Sequence, residues 1–169
     1  MYFIYIKFTK EKEKMSNYSQ EIVNLIKNFL DDDDWNYDFN DEYGVFNFNL
    51  TLKCKLQKAS YRIRVRNEDY VVTVSCPMSA QDCKEEMANF LTRANFGMLN
   101  GNFEMDFDDG EIRYKTFVNC DETTPGRQTI KDSIYLPASM LDRYSEGILA
   151  VIFGTKTAEE AIKMCEDDE

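Results

Sequence analysis

The chain has 169 residues, a net charge of −11, and 43% hydrophobic and 14% aromatic residues. This supports one domain with its own core rather than a disordered chain, and the acidity argues against nucleic-acid and anionic-membrane partners. The sequence has no histidine, which removes Ser-His-Asp and Cys-His catalysis, histidine proton relays and histidine-containing zinc sites.

Residues 1–14 open with MYFIYIKF and a lysine–glutamate run. Eight largely apolar residues fall short of the about 20 that a transmembrane helix needs. The charge order and cleavage site of a secretory signal are missing as well. A new, conventional start reads MSNYSQEI from Met15. Residues 1–14 are therefore expected to be an upstream extension or a loosely attached arm, with a short edge strand as the alternative. Residues 15–169 are expected to form one domain.

A first helix is expected to be capped by Asn17 with Gln20 three residues on. Its stripe is Tyr18, Ile22, Leu25, Ile26, Phe29 and Leu30. Residues 31–34 are four aspartates that would meet the negative end of the helix dipole, so the helix should stop near Leu30. Counted as a calcium loop from Asp34, the acidic stretch puts Phe39 where glycine is needed and Val45 where a bidentate glutamate is needed, so it fails. Trp35, Tyr37 and Phe39 alternate instead with polar residues, as in a short strand.

From Phe46 the alternation is long. Phe46, Phe48, Leu50, Leu52, Cys54 and Leu56 face one way. Tyr61, Ile63 and Val65 then interleave with Arg62, Arg64 and Arg66, and Tyr70, Val72, Val74 and Cys76 continue the apolar face. These segments predict an antiparallel meander with one buried face. Its second turn fits either Asn67-Glu68 or Glu68-Asp69. Pro77 should end it, and Ser79 with Asp82 should open a helix with Met78 and Cys83 as staple. Cys83, Met87, Phe90, Leu91 and Ala94 form that helix's stripe, and Gly97 is a natural residue past its end.

Asp109-Gly110 then predicts a two-residue hairpin turn. That register sets Phe107, Met105 and Phe103 opposite Ile112, Tyr114 and Thr116 on a core face, with Asp106 and Glu104 opposite Arg113 and Lys115. Residues 119–128 read as a loop. A third helix is expected to start at Pro137 or Ala138, with Met140, Leu141, Tyr144, Ile148, Val151 and Ile152 buried and Gly154 ending it. Thr157 and Glu160 form a capping box for a short last helix.

Several stretches resemble the YbjN-like family of bacterial proteins, described as sensory transduction regulators: Gly44-Val45-Phe46-Asn47-Phe48, Asn95-Phe96-Gly97, Gly101-Asn102-Phe103-Glu104, Asp109 to Tyr114, and Arg143-Tyr144 through Gly154. The resemblance covers about residues 16–165 and implies a fold like that of type III secretion chaperones, which bind other proteins and are often dimeric. The expected fold is therefore α+β: a five-stranded antiparallel sheet, three-stranded meander plus Asp-Gly hairpin, in the order α-βββ-α-ββ-α-α. The family supplies no catalytic residues.

Two surface features stand out. Period-2 spacing puts Arg62, Arg64 and Arg66 on one polar sheet face, with Lys53, Lys55 and Lys115 expected beside them. This strip could hold an acidic peptide or phosphate, since guanidinium binds such groups bidentately; the alternative is pairing with the protein's own carboxylates, such as Glu104 and Asp106. Residues 148–153 are apolar on all sides, so Leu149 and Phe153 either pack under the last helix or form a dimer or partner interface. No serine has a base and no GxxxxGK loop occurs. The five cysteines, Cys54, Cys76, Cys83, Cys120 and Cys165, are odd in number and lack CxxC spacing, as expected of reduced thiols in a cytosol. The expectation is a non-enzymatic, cytoplasmic, dimeric protein-binding module without cofactor or metal, with an anionic-ligand sensor as the alternative. Its partner is a protein, not nucleic acid or membrane.

Overall fold

The computed structural model describes residues 17–166; the expectations for residues 1–14 lie outside them. The elements in chain order are α1 (Gln20–Asp32), β1 (Asp38–Asn40), β2 (Val45–Thr51), β3 (Lys58–Val65), β4 (Asp69–Ser79), α2 (Lys84–Asn95), β5 (Asn102–Met105), β6 (Glu111–Asn119), α3 (Arg127–Ile152) and α4 (Ala158–Glu166). The fold is α+β, with an antiparallel sheet ordered β1-β2-β3-β4-β6-β5. It has six strands rather than five. The short segment that alternates around Phe39 joins the sheet beside β2 through Phe39 opposite Phe46.

Strict alternation in β3 buries Ala59, Tyr61, Ile63 and Val65 and exposes the residues between them. Helices cover the buried face. Phe46, Tyr70, Val72, Val74, Ile112 and Tyr114 meet Ile26, Phe29, Phe90, Ile130, Ile134 and Leu141 in one core. The second meander turn is centred on Asn67-Glu68: Arg66 N–H donates to Asp69 O at 2.8 Å, and Val65 faces Tyr70. Strand β2 ends at Thr51, sooner than its alternation implies. Leu52 N–H already donates to Gln57 O at 2.8 Å, closing a loop in which Gln57 takes a left-handed φ of 61°.

Capping differs from expectation in two helices. Ser19, not Asn17, caps α1, accepting from Ile22 N–H at 3.3 Å. The helix continues to Asp32 because Arg127 reaches across to Asp32 (2.6 Å) and Asp33 (3.7 Å), supplying the positive charge that the C-terminus lacks locally. Pro77 does not end β4; it lies where the β4 register with β6 shifts between Ser75 and Ser79, and a bulge tolerates proline. Ser79 donates to Asp109 O at 2.6 Å instead of capping α2, which begins at Lys84. The Thr157–Glu160 capping box forms as expected, with Thr157 N–H on Glu160 at 3.1 Å and Glu160 N–H on Thr157 at 3.3 Å.

The β5–β6 hairpin keeps its faces but shifts its register by two residues: Met105 faces Ile112, Phe103 faces Tyr114 and Glu104 faces Arg113. The strands close at Asp106, whose N–H donates to Glu111 O at 2.9 Å, and residues 107–110 form the loop. Aspartate chemistry favours this longer loop. Asp106 accepts from Asp108 N–H (2.8 Å) and Asp109 from Glu111 N–H (2.9 Å). Phe107 consequently lies in the loop, 58% exposed, instead of facing the core.

Helix α3 begins ten residues before the proline expected to open it, at Arg127, and Pro137 lies inside it. A mid-helix proline removes the N–H that should bond the carbonyl four residues back. The sheet supplies a substitute donor at Ser133 O and a further one at the next carbonyl. Thr116 Oγ1 donates to Ser133 O at 3.0 Å, and Tyr61 OH donates to Ile134 O at 2.9 Å. Ser133 Oγ completes a buried network with Tyr70 OH (2.9 Å) and Ile130 O (2.8 Å).

Candidate protein-binding edge and arginine face

The arginine stripe of β3 lies on the solvent face, as its alternation requires. It divides into two kinds of side chain. Arg66 is tied to Asp69 at 2.5 Å across the meander turn. Arg62 lies between Asn47 and Thr73, and Arg64 between Val45 and Val71, so neither has a carboxylate directly opposite. No ion pair engages either of them among the described residues. Arg62 borders a shallow polar cleft of about 730 Å³ with Asn47, Asn49, Ser60 and Ser75, and Asp38 at its rim.

Of the lysines expected beside the stripe, Lys53 lies in the loop that follows β2, and the other two are otherwise engaged. Lys55 pairs with Glu146 of α3 at 3.1 Å. Lys115 contacts Glu104, which also binds Arg113 at 2.9 Å. Partial burial pushes the Glu104 carboxyl up, but hydrogen bonds from Lys115 and Arg113 outweigh it and hold the group below its ordinary value.

A second feature, invisible to residue spacing, lies at the other end of the sheet. Alternate residues of a strand between two antiparallel neighbours bond to one side and then the other. Cys120 N–H donates to Glu68 O at 2.7 Å, continuing the register that pairs Val118 with Tyr70, so even-numbered residues of β6 face β4. Asp106 N–H donates to Glu111 O, so the odd-numbered ones face β5. The pairing with β5 stops at Asn102 opposite Lys115. Phe117 and Asn119 therefore present N–H and C=O groups to an edge that no strand occupies among the described residues.

Gly101 makes this edge. It takes φ +80°, and a Cβ there would lie 2.5 Å from Lys115 O and 2.6 Å from the Tyr114 ring. The chain turns out of the sheet at this glycine, just before it would reach Phe117. A groove of about 530 Å³ opens between the free edge, Leu99 and α3, where Thr129, Asp132 and Leu136 line it. Leu99 is 96% exposed and Phe117 56%. Among the described residues Asp132 has only a neutral partner, Gln128 Nε2 at 2.6 Å. Lys115 also borders the groove, but Glu104 holds its ammonium.

Leu149 packs partly against the core, whereas Phe153, at the C-terminal end of α3, is 66% exposed. The two are thus not equivalent members of one patch. Burial pushes the Cys76 thiol up to about 11, with a backbone hydrogen bond from Met78 opposing it, and likewise raises Cys120 and Cys165. All five cysteines are free. Among the described residues no group of three or more Cys, Asp or Glu side chains is arranged to hold a metal ion. No helix among them is long and apolar enough to cross a membrane.

No family model and no curated protein matches the chain. Among solved structures it is similar to the Yersinia pestis type III secretion chaperone SycH, solved in complex with a stable fragment of YscM2. The identity is 16% and the TM-score 0.44, over 71% of this chain and 98% of that one.

Proposed function

We propose that this protein is a non-enzymatic protein-binding module, a chaperone-like adaptor that presents its sheet edge to a protein partner. One observation carries the reading: a run of unpaired β6 backbone lies beside the exposed side chains of Leu99 and Phe117. Exposed apolar surface next to unsatisfied strand backbone is what a partner can cover at a gain. The resemblance to the YbjN-like family points the same way, and five free thiols fit work in a reducing cytoplasm. The test compares proteins retained from the native host by the intact chain and by Leu99→Asp and Phe117→Asp variants of unchanged melting temperature. A partner held by the first and lost from both variants supports the proposal; identical sets from all three overturn it.

A second reading rests on Arg62 and Arg64, two guanidiniums without a carboxylate partner among the described residues of a strongly acidic protein. These would bind a small anionic or phosphorylated ligand beside the polar cleft. A thermal shift from a phosphorylated compound that disappears in Arg64→Ala supports it; a broad anionic library giving no shift discards it. Homodimerisation through Phe153, with Leu149 behind it, is a separate proposal. It predicts concentration-dependent sedimentation that Phe153→Asp abolishes, and a monomer at every concentration refutes it.

A further inference from the structure

The stretches of strand edge are treated differently along the sheet. At one side of the sheet β1 is only three residues long and is followed by Asp41 and Glu42, and short, charged edges resist pairing. At the other side, Phe103 of β5 turns its N–H and C=O outward, and Asn95 of α2 satisfies both, accepting from the N–H at 2.7 Å and donating to the C=O at 3.0 Å. The stretch Thr116, Phe117, Val118 and Asn119 of β6 carries no lysine, proline or acid and has no such side-chain cover; β2 from Phe48 to Thr51 is likewise unpaired on its β1 side among the described residues, but it borders only the polar cleft. The β6 stretch borders the groove that Leu99, Leu136 and Asp132 line.

We infer that the partner binds here as an added β-strand: an extended segment of another protein in which apolar residues alternate with lysine or arginine. This rests on the protein-binding reading above and says what the partner must look like. The backbone sets the mode. Phe117 and Asn119 each offer a donor and an acceptor, spaced two residues apart as a strand requires, and four residues of edge span about 13 Å. Alternation sets the sequence. A segment residue opposite Phe117 lies on the same face as the Phe117 ring, which selects an apolar side chain. Its neighbours turn to the opposite face, into the groove past Leu99 and Leu136 toward Asp132. A long basic side chain suits that path, with its aliphatic stem along the leucines and its charge at the carboxylate. Lys115 cannot compete because Glu104 already holds it, and the net charge of −11 favours a cationic segment at longer range.

Fluorescence anisotropy of a labelled probe, Lys-Val-Lys-Phe-Lys-Val, titrated with the full chain tests this. The block isomer Lys-Lys-Lys-Val-Phe-Val has the same charge and composition and should bind roughly tenfold more weakly. Phe117→Pro removes one outward N–H and the ring beside it without touching the ladder to β4, a position where an edge strand tolerates proline. It should weaken the alternating probe by roughly tenfold at nearly unchanged melting temperature; Asn119→Pro serves if that variant does not fold. Phe117→Ala, which removes the ring alone, should weaken the probe less. Asp132→Lys should weaken it by about fivefold.

Failure of the alternating probe to bind better than its isomer overturns the inference. If Phe117→Pro and Asn119→Pro bind like the parent while Leu99→Asp does not, strand addition is overturned and side-chain docking of a protein remains. A Tyr5→Pro change in the full chain that raises probe affinity by roughly tenfold shows that the chain's own first residues fill the edge, and overturns binding in trans. So does self-association by sedimentation that Phe117→Pro abolishes, which would make a second copy the occupant.

Discussion

Thr116 is the residue on which the proline inside α3 depends, and a double-mutant cycle isolates that dependence. Its hydroxyl donates at 3.0 Å to Ser133 O, the carbonyl that Pro137 leaves without a helical N–H. Thr116→Val keeps the shape and removes the donor. The site is buried, Thr116 being 5% exposed and Ser133 6%, so water does not take the donor's place. Losing a hydrogen bond costs about 0.5–1.5 kcal/mol, and stranding a buried acceptor about 1–3, so the variant should lose roughly 1–3 kcal/mol. For a chain of this size each kcal/mol lowers Tm by about 2–4 °C. Pro137→Ala restores an N–H that reaches the same carbonyl through the ordinary helical bond. In that background Thr116→Val should cost about 1 kcal/mol less. Urea denaturation of the four proteins, compared at equal m-values, gives the coupling. Additivity within about 0.3–0.5 kcal/mol would refute the idea that the threonine replaces a backbone donor.

Gly97 and Gly101 share one loop and both take positive φ, +89° and +80°, but only Gly101 is crowded by backbone and a buried ring. Alanine should cost about 1–2 kcal/mol at Gly97 for conformation alone and about 1–3 kcal/mol more at Gly101 from the clash; equal losses in chemical denaturation would contradict the close approach. Glu104, whose carboxyl is held low by Lys115 and Arg113 against the effect of burial, stabilises the fold fully above its unfolded pKa of about 4.3 and progressively less as pH falls through its lowered folded value. The stability gap between the parent and Glu104→Gln should therefore be flat near neutrality and close in acid. Because Arg113 and Lys115 are 43% and 37% exposed, the gap should not exceed about 1 kcal/mol; a gap that widens in acid would reverse the sign. Cys76, raised to about 11, should alkylate at pH 8 about 100-fold more slowly in the native protein than in urea, in proportion to its thiolate fraction. Mass spectrometry of labelled peptides reads this, and equal rates would show that the thiol is not buried.

Elements whose own residues carry a local signal were legible in the sequence. The alternation of Tyr61, Ile63 and Val65 with Arg62 and Arg64 is the burial pattern of β3, and the Thr157–Glu160 box opens α4. What was not legible depends on partners distant in sequence. The start of α3 was hidden because proline normally opens a helix, and nothing near Pro137 reveals that Thr116 satisfies the freed Ser133 carbonyl from the sheet while Tyr61 bonds the next one, Ile134 O. The extension of α1 to Asp32 depends on Arg127, far along the chain. The arginine face could be read from spacing, but its division could not. Arg66 is engaged because the meander turn brings Asp69 to it, and sequence alone left that turn undecided between two positions.

The free edge was missed for the same reason that the hairpin register was missed, because they are one fact. With a two-residue turn at Asp109-Gly110, Phe103 would face Thr116 and Asn102 would cover Phe117. Residues 107–110 are spent on a longer loop, so Asn102 reaches only Lys115 and the strand ends there. That loop is fastened to its surroundings. Lys84 Nζ donates to Phe107 O at 2.6 Å, Ser79 Oγ to Asp109 O at 2.6 Å, and Ala80 N–H to Gly110 O at 2.9 Å. Gly110 takes φ +73°, and a Cβ there would collide with the backbone of Ala80 and Gln81. Contacts from the end of β4 and the start of α2 thus hold the register at one end of β6, and Gly101 diverts the chain at the other. The unpaired backbone of Phe117 and Asn119 follows from both, so the edge is set by the packing of the hairpin and not by fraying at a strand end.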